Sequence, residues 1–292
     1  MEVEKQTTPY PRRPALPVWA AVLLYIIACF VSMGLLHGCL LSFFSILPES
    51  GSTGRMIIEK LVLFVSSVVA VWACAVLFLK HVDRRPVSEL GLDIKGRWKD
   101  CLAGCAFAAV FYLIGFAVSL KLGAVKVTGA TIDLGVAAGT FSVFLFAAAM
   151  EEIMMRGYVQ GRLAARMNKF SAMAISALLF SVIHIPNQHI GILPLVNLFL
   201  AGLLLGAPCM YTRNLWFSIS LHTAWNWIQG PVLGYEVSGT RMFPSMIRLH
   251  LPEENIINGG RFGFEGSILC TILLIAGTAL IIGWHERKDD AG

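Results

Sequence analysis

Three short polar clusters interrupt otherwise apolar helical sequence: Glu151-Glu152-Ile153-Met154-Met155-Arg156, Phe180-Ser181-Val182-Ile183-His184 and His222-Thr223-Ala224-Trp225-Asn226. Ionisable side chains at membrane depth are costly. They turn inward, pair with one another and mark functional sites. Residues four apart on a helix share a face. Glu152 and Arg156 can therefore pair, while Glu151 points about 100° away at ~3.6 residues per turn and is free to face a cavity. His222 and Asn226 project together. Phe180 and His184 do the same, with the ring beside the imidazole.

A carboxylate and a histidine that converge in a water-accessible cavity can act together as general base on water. A histidine and an asparagine can stabilise the oxyanion of a tetrahedral intermediate. Together these are the requirements of peptide hydrolysis. The alternative is a zinc ion held by Glu151, His184 and His222 with one position open to water. The sequence has no HExxH, so it offers no zinc signature of its own. Taken singly, each cluster has a structural reading: an ion pair at Glu152 and Arg156, a helix end at His184, interhelical hydrogen bonding at His222 and Asn226. All three in order on successive apolar helices favour a site. In that reading Trp225 and Trp227 wall the cavity, Trp216 joins an interfacial belt, and Gly202 and Gly206 permit close helix packing.

The elements that must position these groups span a membrane. The chain is 57% hydrophobic and 14% charged, with mean hydropathy +0.71. A soluble domain carries about 25% charged residues. The net charge of +5 does not point to nucleic acid, because the basic residues fall mostly in short loops. The seven cysteines are odd in number, lie almost all in apolar helical sequence and form no zinc-type CxxC pair, so they read as small buried residues. Leu36-His37-Gly38-Cys39 faintly resembles a lipoprotein cleavage box, but the apolar run around it is too long for a signal segment and reads as a first spanning helix.

Eight stretches are long and apolar enough to read as helices of a polytopic all-α transmembrane bundle: Pro17–Ile46, Met56–Lys80, Cys101–Val125, Ile132–Gln160, Phe170–Ile185, Ile190–Tyr211, Leu215–Leu233 and Gly266–Trp284. Lys and Arg concentrate at the N-terminus, after the second, fourth and sixth helices, and at the C-terminus. The positive-inside rule then puts both termini in the cytoplasm, and the expected location is the plasma (inner) membrane. No internal repeat is visible, which argues against an inverted-repeat transporter using the polar faces as an ion path. The organisation reads as N-terminal helices and a cytoplasmic loop over 1–130, a core over 131–232 that carries the clusters, and an extramembrane loop with the last helix over 233–292. The stretch Tyr235–Glu265 could cap or gate the bundle. Phe170–Ile185 is only about 24 Å long at ~1.5 Å per residue. His184 is then expected at the far end of its helix, with Glu151 partway along the helix before it.

The ordered set EExxxR, FxxxH and HxxxN resembles the CPBP family of intramembrane proteases, which includes the type II CAAX prenyl proteases and the bacteriocin-processing and immunity proteins of the Abi group. Asn197–Gly206 (NLFLAGLLLG) and Asn214-Leu215-Trp216 look like that family too. The resemblance covers Ala137–Gln229, roughly a third of the chain. It implies that Glu151 activates water together with His184, that His222 and Asn226 stabilise the oxyanion, and that Glu152, Arg156 and Phe180 support the site. The implied substrate is a membrane protein, a lipidated protein or a peptide precursor, met within the lipid bilayer. A second reading keeps the fold and drops the chemistry: a membrane scaffold in secretion or bacteriocin self-immunity.

Overall fold

Eight helices run through the described residues, 15–46 and 51–290, of this computed structural model: α1 (Val18–Ile46), α2 (Thr53–Asp83), α3 (Trp98–Lys121), α4 (Leu134–Ala164), α5 (Lys169–Ile183), α6 (Ile192–Thr212), α7 (Trp216–Trp227) and α8 (Ile268–Asp290). The all-α polytopic bundle expected from the sequence is the fold observed. Local chemistry opens several helices. Ser52, Asp133 and Asn168 each accept from the backbone N–H three residues on, at 3.3, 3.0 and 2.9 Å, which satisfies a donor that the first turn leaves free. α6 ends on Arg213 in the left-handed region, and Asn214 then accepts from Trp216 N at 3.0 Å to start α7.

α2 packs on α1 and α4, α4 on α7, α7 on α3, α5 on α6, and α6 on α8. One apolar core joins α1, α2, α4 and α5; a second joins α3, α6, α7 and α8. The polar clusters lie where the two cores meet, on α4, α5 and α7.

Among the described residues, six helices are long and apolar enough to cross a membrane: α1, α2, α3, α4, α6 and α8. The chain is an integral, multi-pass membrane protein. The continuous α1 runs through Leu36-His37-Gly38-Cys39, in line with a spanning helix there. The other two expected spans are corrected. α5 has 15 residues and α7 has 12, about 22 and 18 Å at ~1.5 Å each, against a hydrocarbon core of about 30 Å. α5 stops at His184, ahead of Pro186, and α7 passes at Ile228 into a π-helical turn that contains Pro231. Hydropathy cannot separate a half-span lined by apolar neighbours from a full one.

Both short helices start from the same end of the bundle. There Arg162 pairs with Asp83, Lys169 with Glu286 (2.8 Å), Asn214 Nδ2 donates to Asp93 O (2.8 Å), and Trp216 Nε1 to Leu92 O (3.1 Å). This end collects Arg84, Arg85, Lys95, Arg97, Arg162, Arg166, Lys169, Arg213, Arg287 and Lys288. At the opposite end an unexpected two-stranded sheet pairs β1 (Lys126–Ala130) with β2 (Ile247–His250), antiparallel and with an irregularity between Val127 and Gly129. It ties the loop after α3 to the long segment between α7 and α8.

Close packing holds α5 against α6. A Cβ at Gly202 would lie 2.7 Å from both Cα and Cβ of Ala177, and one at Gly206 would lie 3.1 Å from Met173 Cγ. Gly202→Val is therefore expected to force the two helices apart and cost about 1–3 kcal/mol, the usual range for overpacking. A melting temperature in detergent equal to wild type would contradict this.

Candidate active site

Glu151 and Glu152 occupy the last α-helical turn of α4 before it becomes π-helical over Ile153–Gln160. π turns of this kind interrupt helices frequently at functional sites. All eight residues of this turn are buried. Within it, Arg156 NH1 donates to Glu152 Oε1 at 3.0 Å and NH2 to the Gly202 carbonyl at 3.2 Å, with the guanidinium 4.4 Å above the Phe180 ring. The Glu152 and Arg156 side chains are wholly buried.

Glu152 reaches a second partner on α7. His222 Nδ1 donates to Glu152 Oε1 at 2.9 Å. On α5, His184 Nδ1 donates to the Phe180 carbonyl at 2.6 Å, and the two rings sit 4.6 Å apart. Both imidazoles are thus fixed through Nδ1, which leaves Nε2 to the cavity. Those two Nε2 atoms face one oxygen: Glu151 Oε2 lies 3.8 Å from His184 Nε2 and 3.9 Å from His222 Nε2. That oxygen is buried and accepts no hydrogen bond from the described residues. The separations are too long for direct hydrogen bonds and suit a bridging water. Asn226, one turn beyond His222, lines the same cavity, and its Oδ1 is likewise without a partner.

The structure thus brings Glu151, His184, His222 and Asn226 around one cavity, with Glu152, Arg156 and Phe180 behind them. It resolves the expected offset along the helices: α5 ends partway through the bundle, so His184 at its end meets Glu151 in mid-helix. The three groups a zinc ion would need, Glu151, His184 and His222, stand slightly wider apart than zinc ligands do. Ligand atoms on a tetrahedral zinc stand roughly 3.4 Å apart, closer than the 3.8 and 3.9 Å found here. Among the described residues no group of three His, Cys, Asp or Glu is set to hold a metal.

The cavity is closed by groups that sequence reasoning did not single out. Glu265 accepts from Trp225 Nε1 (2.9 Å), Ser238 N (2.8 Å) and Ser238 Oγ (2.8 Å), and lines the cavity beside Val237, Thr240 and Met242. Asn197 Nδ2 donates to the carbonyls of Glu265 (2.7 Å) and Ser267 (2.9 Å), and Asn187 Nδ2 to Ser238 O (3.2 Å). The segment between α7 and α8 is therefore a cover latched by one buried carboxylate. No local motif surrounds Glu265; its role depends on residues 27 and 40 positions away. Trp225 walls the cavity as expected. Trp227 does not: its Nε1 donates to Ala137 O at 3.1 Å, against α4. Glu265→Ala is expected to free Ser238 and raise proteolytic cutting of the cover several-fold, while the helices stay intact by circular dichroism. An unchanged digestion pattern would rule out the latch.

Residues 133–228 match the family model for type II CAAX prenyl endopeptidases, Rce1-like. Comparison with curated proteins finds no match. The matched segment opens on the Asp133 cap of α4, ends just past α7 and contains all three polar clusters. The chain carries an Rce1-like domain of the CPBP/CAAX protease kind at the centre of its helical bundle.

Proposed function

We propose that the chain is an intramembrane endopeptidase that hydrolyses a peptide bond of a membrane-associated or lipidated substrate with water activated by Glu151 and His184. The observation that carries this reading is an unpartnered carboxylate oxygen, Glu151 Oε2, faced by the Nε2 atoms of both histidines. A water between Glu151 and His184 gives a proton to the Glu151 carboxylate, and its oxygen attacks the scissile carbonyl carbon. The carbonyl oxygen becomes an oxyanion, which accepts from Asn226 Nδ2 and from protonated His222 Nε2. Glu152 holds His222 through Nδ1 and balances its charge. Collapse breaks the C–N bond, and Glu151 returns its proton to the leaving amine. Products are a carboxylic acid and an amine, with one water consumed.

The apolar lining of the cavity, with Phe64, Phe144, Leu198 and Leu204, favours an apolar or lipidated segment near the bond cut. The basic end of the bundle, by the positive-inside rule, faces the cytoplasm together with both termini.

The test is cleavage of a panel of quenched membrane-anchored peptides by purified wild-type protein, with and without a chelator. Cleavage that resists the chelator is expected. Loss of cleavage on chelation, restored by zinc, would replace the glutamate mechanism with a metal one. Asn226→Ala is expected to lower kcat by roughly 10²–10³-fold with little change in KM, as for loss of one oxyanion donor. A change in KM alone would remove Asn226 from the transition state. Absence of cleavage across the panel, with folding intact, would favour the scaffold reading.

A further inference from the structure

The active-site cavity carries more negative charge than the proposed hydrolysis uses. Its wall holds two carboxylates, Glu151 on α4 and Glu265 on the cover, and no lysine or arginine. Its other side chains are apolar or neutral apart from His184 and His222. Arg241, flanked by the wall residues Thr240 and Met242, is exposed and donates to Gly234 O at 3.1 Å. Behind the wall, Arg156 is committed to Glu152 and the Gly202 carbonyl. With His222 protonated, the trio of Glu152, Arg156 and His222 carries one positive charge, against two negative ones on Glu151 and Glu265, so the cavity stays negative.

The three buried acidic residues among the described residues differ in one respect. Asp83 and Glu152 each pair with an arginine. Glu265, 9% exposed, has only neutral partners: Trp225 Nε1, Ser238 N and Ser238 Oγ. Latching the cover explains those hydrogen bonds and leaves the charge without a counter-ion. A buried carboxylate of this kind is costly until a cation meets it, and its two oxygens have acceptor capacity beyond three bonds. Asn226, 8% exposed in the same wall, adds an acceptor, since its Oδ1 has no partner. Glu151 takes up a proton during the proposed hydrolysis, so Glu265 is the charge that persists. Low-dielectric walls, here Phe144, Leu198 and Leu204, focus such a field on whatever enters. Resting on that reading of the chemistry, we propose that Glu265 is a specificity-determining residue: the cavity selects substrates that place a lysine or arginine side chain beside the scissile bond and disfavours an acidic side chain or a free carboxylate there. The aliphatic stem of the basic residue packs on the apolar wall while its charged head turns to Glu265.

The experiment uses the full chain in nanodiscs and quenched membrane-anchored peptides that differ only in one residue beside the scissile bond: lysine, glutamine or glutamate, on either side. For wild type, kcat/KM is expected to be roughly tenfold higher with lysine than with glutamine, the order of one hydrogen bond to a charged group, and lower again with glutamate. Glu265→Gln should abolish the preference for lysine over glutamine, and Glu265→Asp should retain it. A looser cover in Glu265→Gln would change all peptides alike and leave the ratio unmoved, so the ratio reads charge and not latching. The same peptides with an N-methylated scissile bond, followed by fluorescence anisotropy, report the preference without turnover. Tighter binding of the lysine peptide with no cleavage of any peptide would keep the charge selection and overturn the protease. Equal cleavage of the lysine and glutamate peptides would keep the protease and overturn the charge selection. A lysine preference undiminished in Glu265→Gln, or binding and cleavage both indifferent to charge, would overturn it as well.

Discussion

Purified Glu151→Gln protein is expected to melt as wild type does and to cleave substrate with kcat lower by roughly 10²–10⁴-fold, the range for loss of a general base. The two halves of this expectation have separate causes. Folding is spared because Glu151 Oε2 takes no hydrogen bond from the described residues and the Glu151 side chain is 22% exposed to the cavity. The amide has nearly the same volume. Catalysis fails because an amide cannot accept the proton of the attacking water or return it to the leaving amine. His184 and His222 keep their Nδ1 anchors in this variant, so substrate binding should change little and the loss should fall on kcat. Side-by-side turnover and thermal unfolding decide it. Wild-type turnover in Glu151→Gln would remove Glu151 as the base.

Arg156→Met should have the largest effect on stability, a loss of about 3–5 kcal/mol, because it strips the partner from a wholly buried carboxylate. Glu152 would keep only His222 Nδ1, and the Gly202 carbonyl would lose its side-chain donor. Arg156→Lys should not rescue it. One ammonium cannot reproduce the planar fork that reaches Glu152 at 3.0 Å and Gly202 at 3.2 Å. Removing both charges, Glu152→Gln with Arg156→Met, should recover part of the loss, since no buried charge is then left alone. Denaturant unfolding in mixed micelles measures all three. A single Arg156→Met variant as stable as wild type would show that the pair carries no structural weight.

Composition and spacing alone determined that the chain spans a membrane, that α4, α5 and α7 carry its polar clusters, and which residues share a face. These are local consequences of hydropathy and of the helical repeat: Glu152 and Arg156, Phe180 and His184 meet as their spacing demands. The order of the three clusters pointed to the family that the match over residues 133–228 supports. Tertiary structure decided the rest. That α5 and α7 end inside the bundle depends on what surrounds them, because an apolar residue reads alike against lipid and against another helix. The separation of the two glutamates into one facing both imidazole Nε2 atoms and one buried between Arg156 and His222 follows from the meeting of three helices. The cover over the cavity was least legible. The β1–β2 pair joins residues more than a hundred positions apart in two short strands, and Glu265 becomes a latch only through Trp225, Ser238 and Asn197. Such contacts leave no period in the sequence, since each is made once, between segments that only the folded bundle brings together.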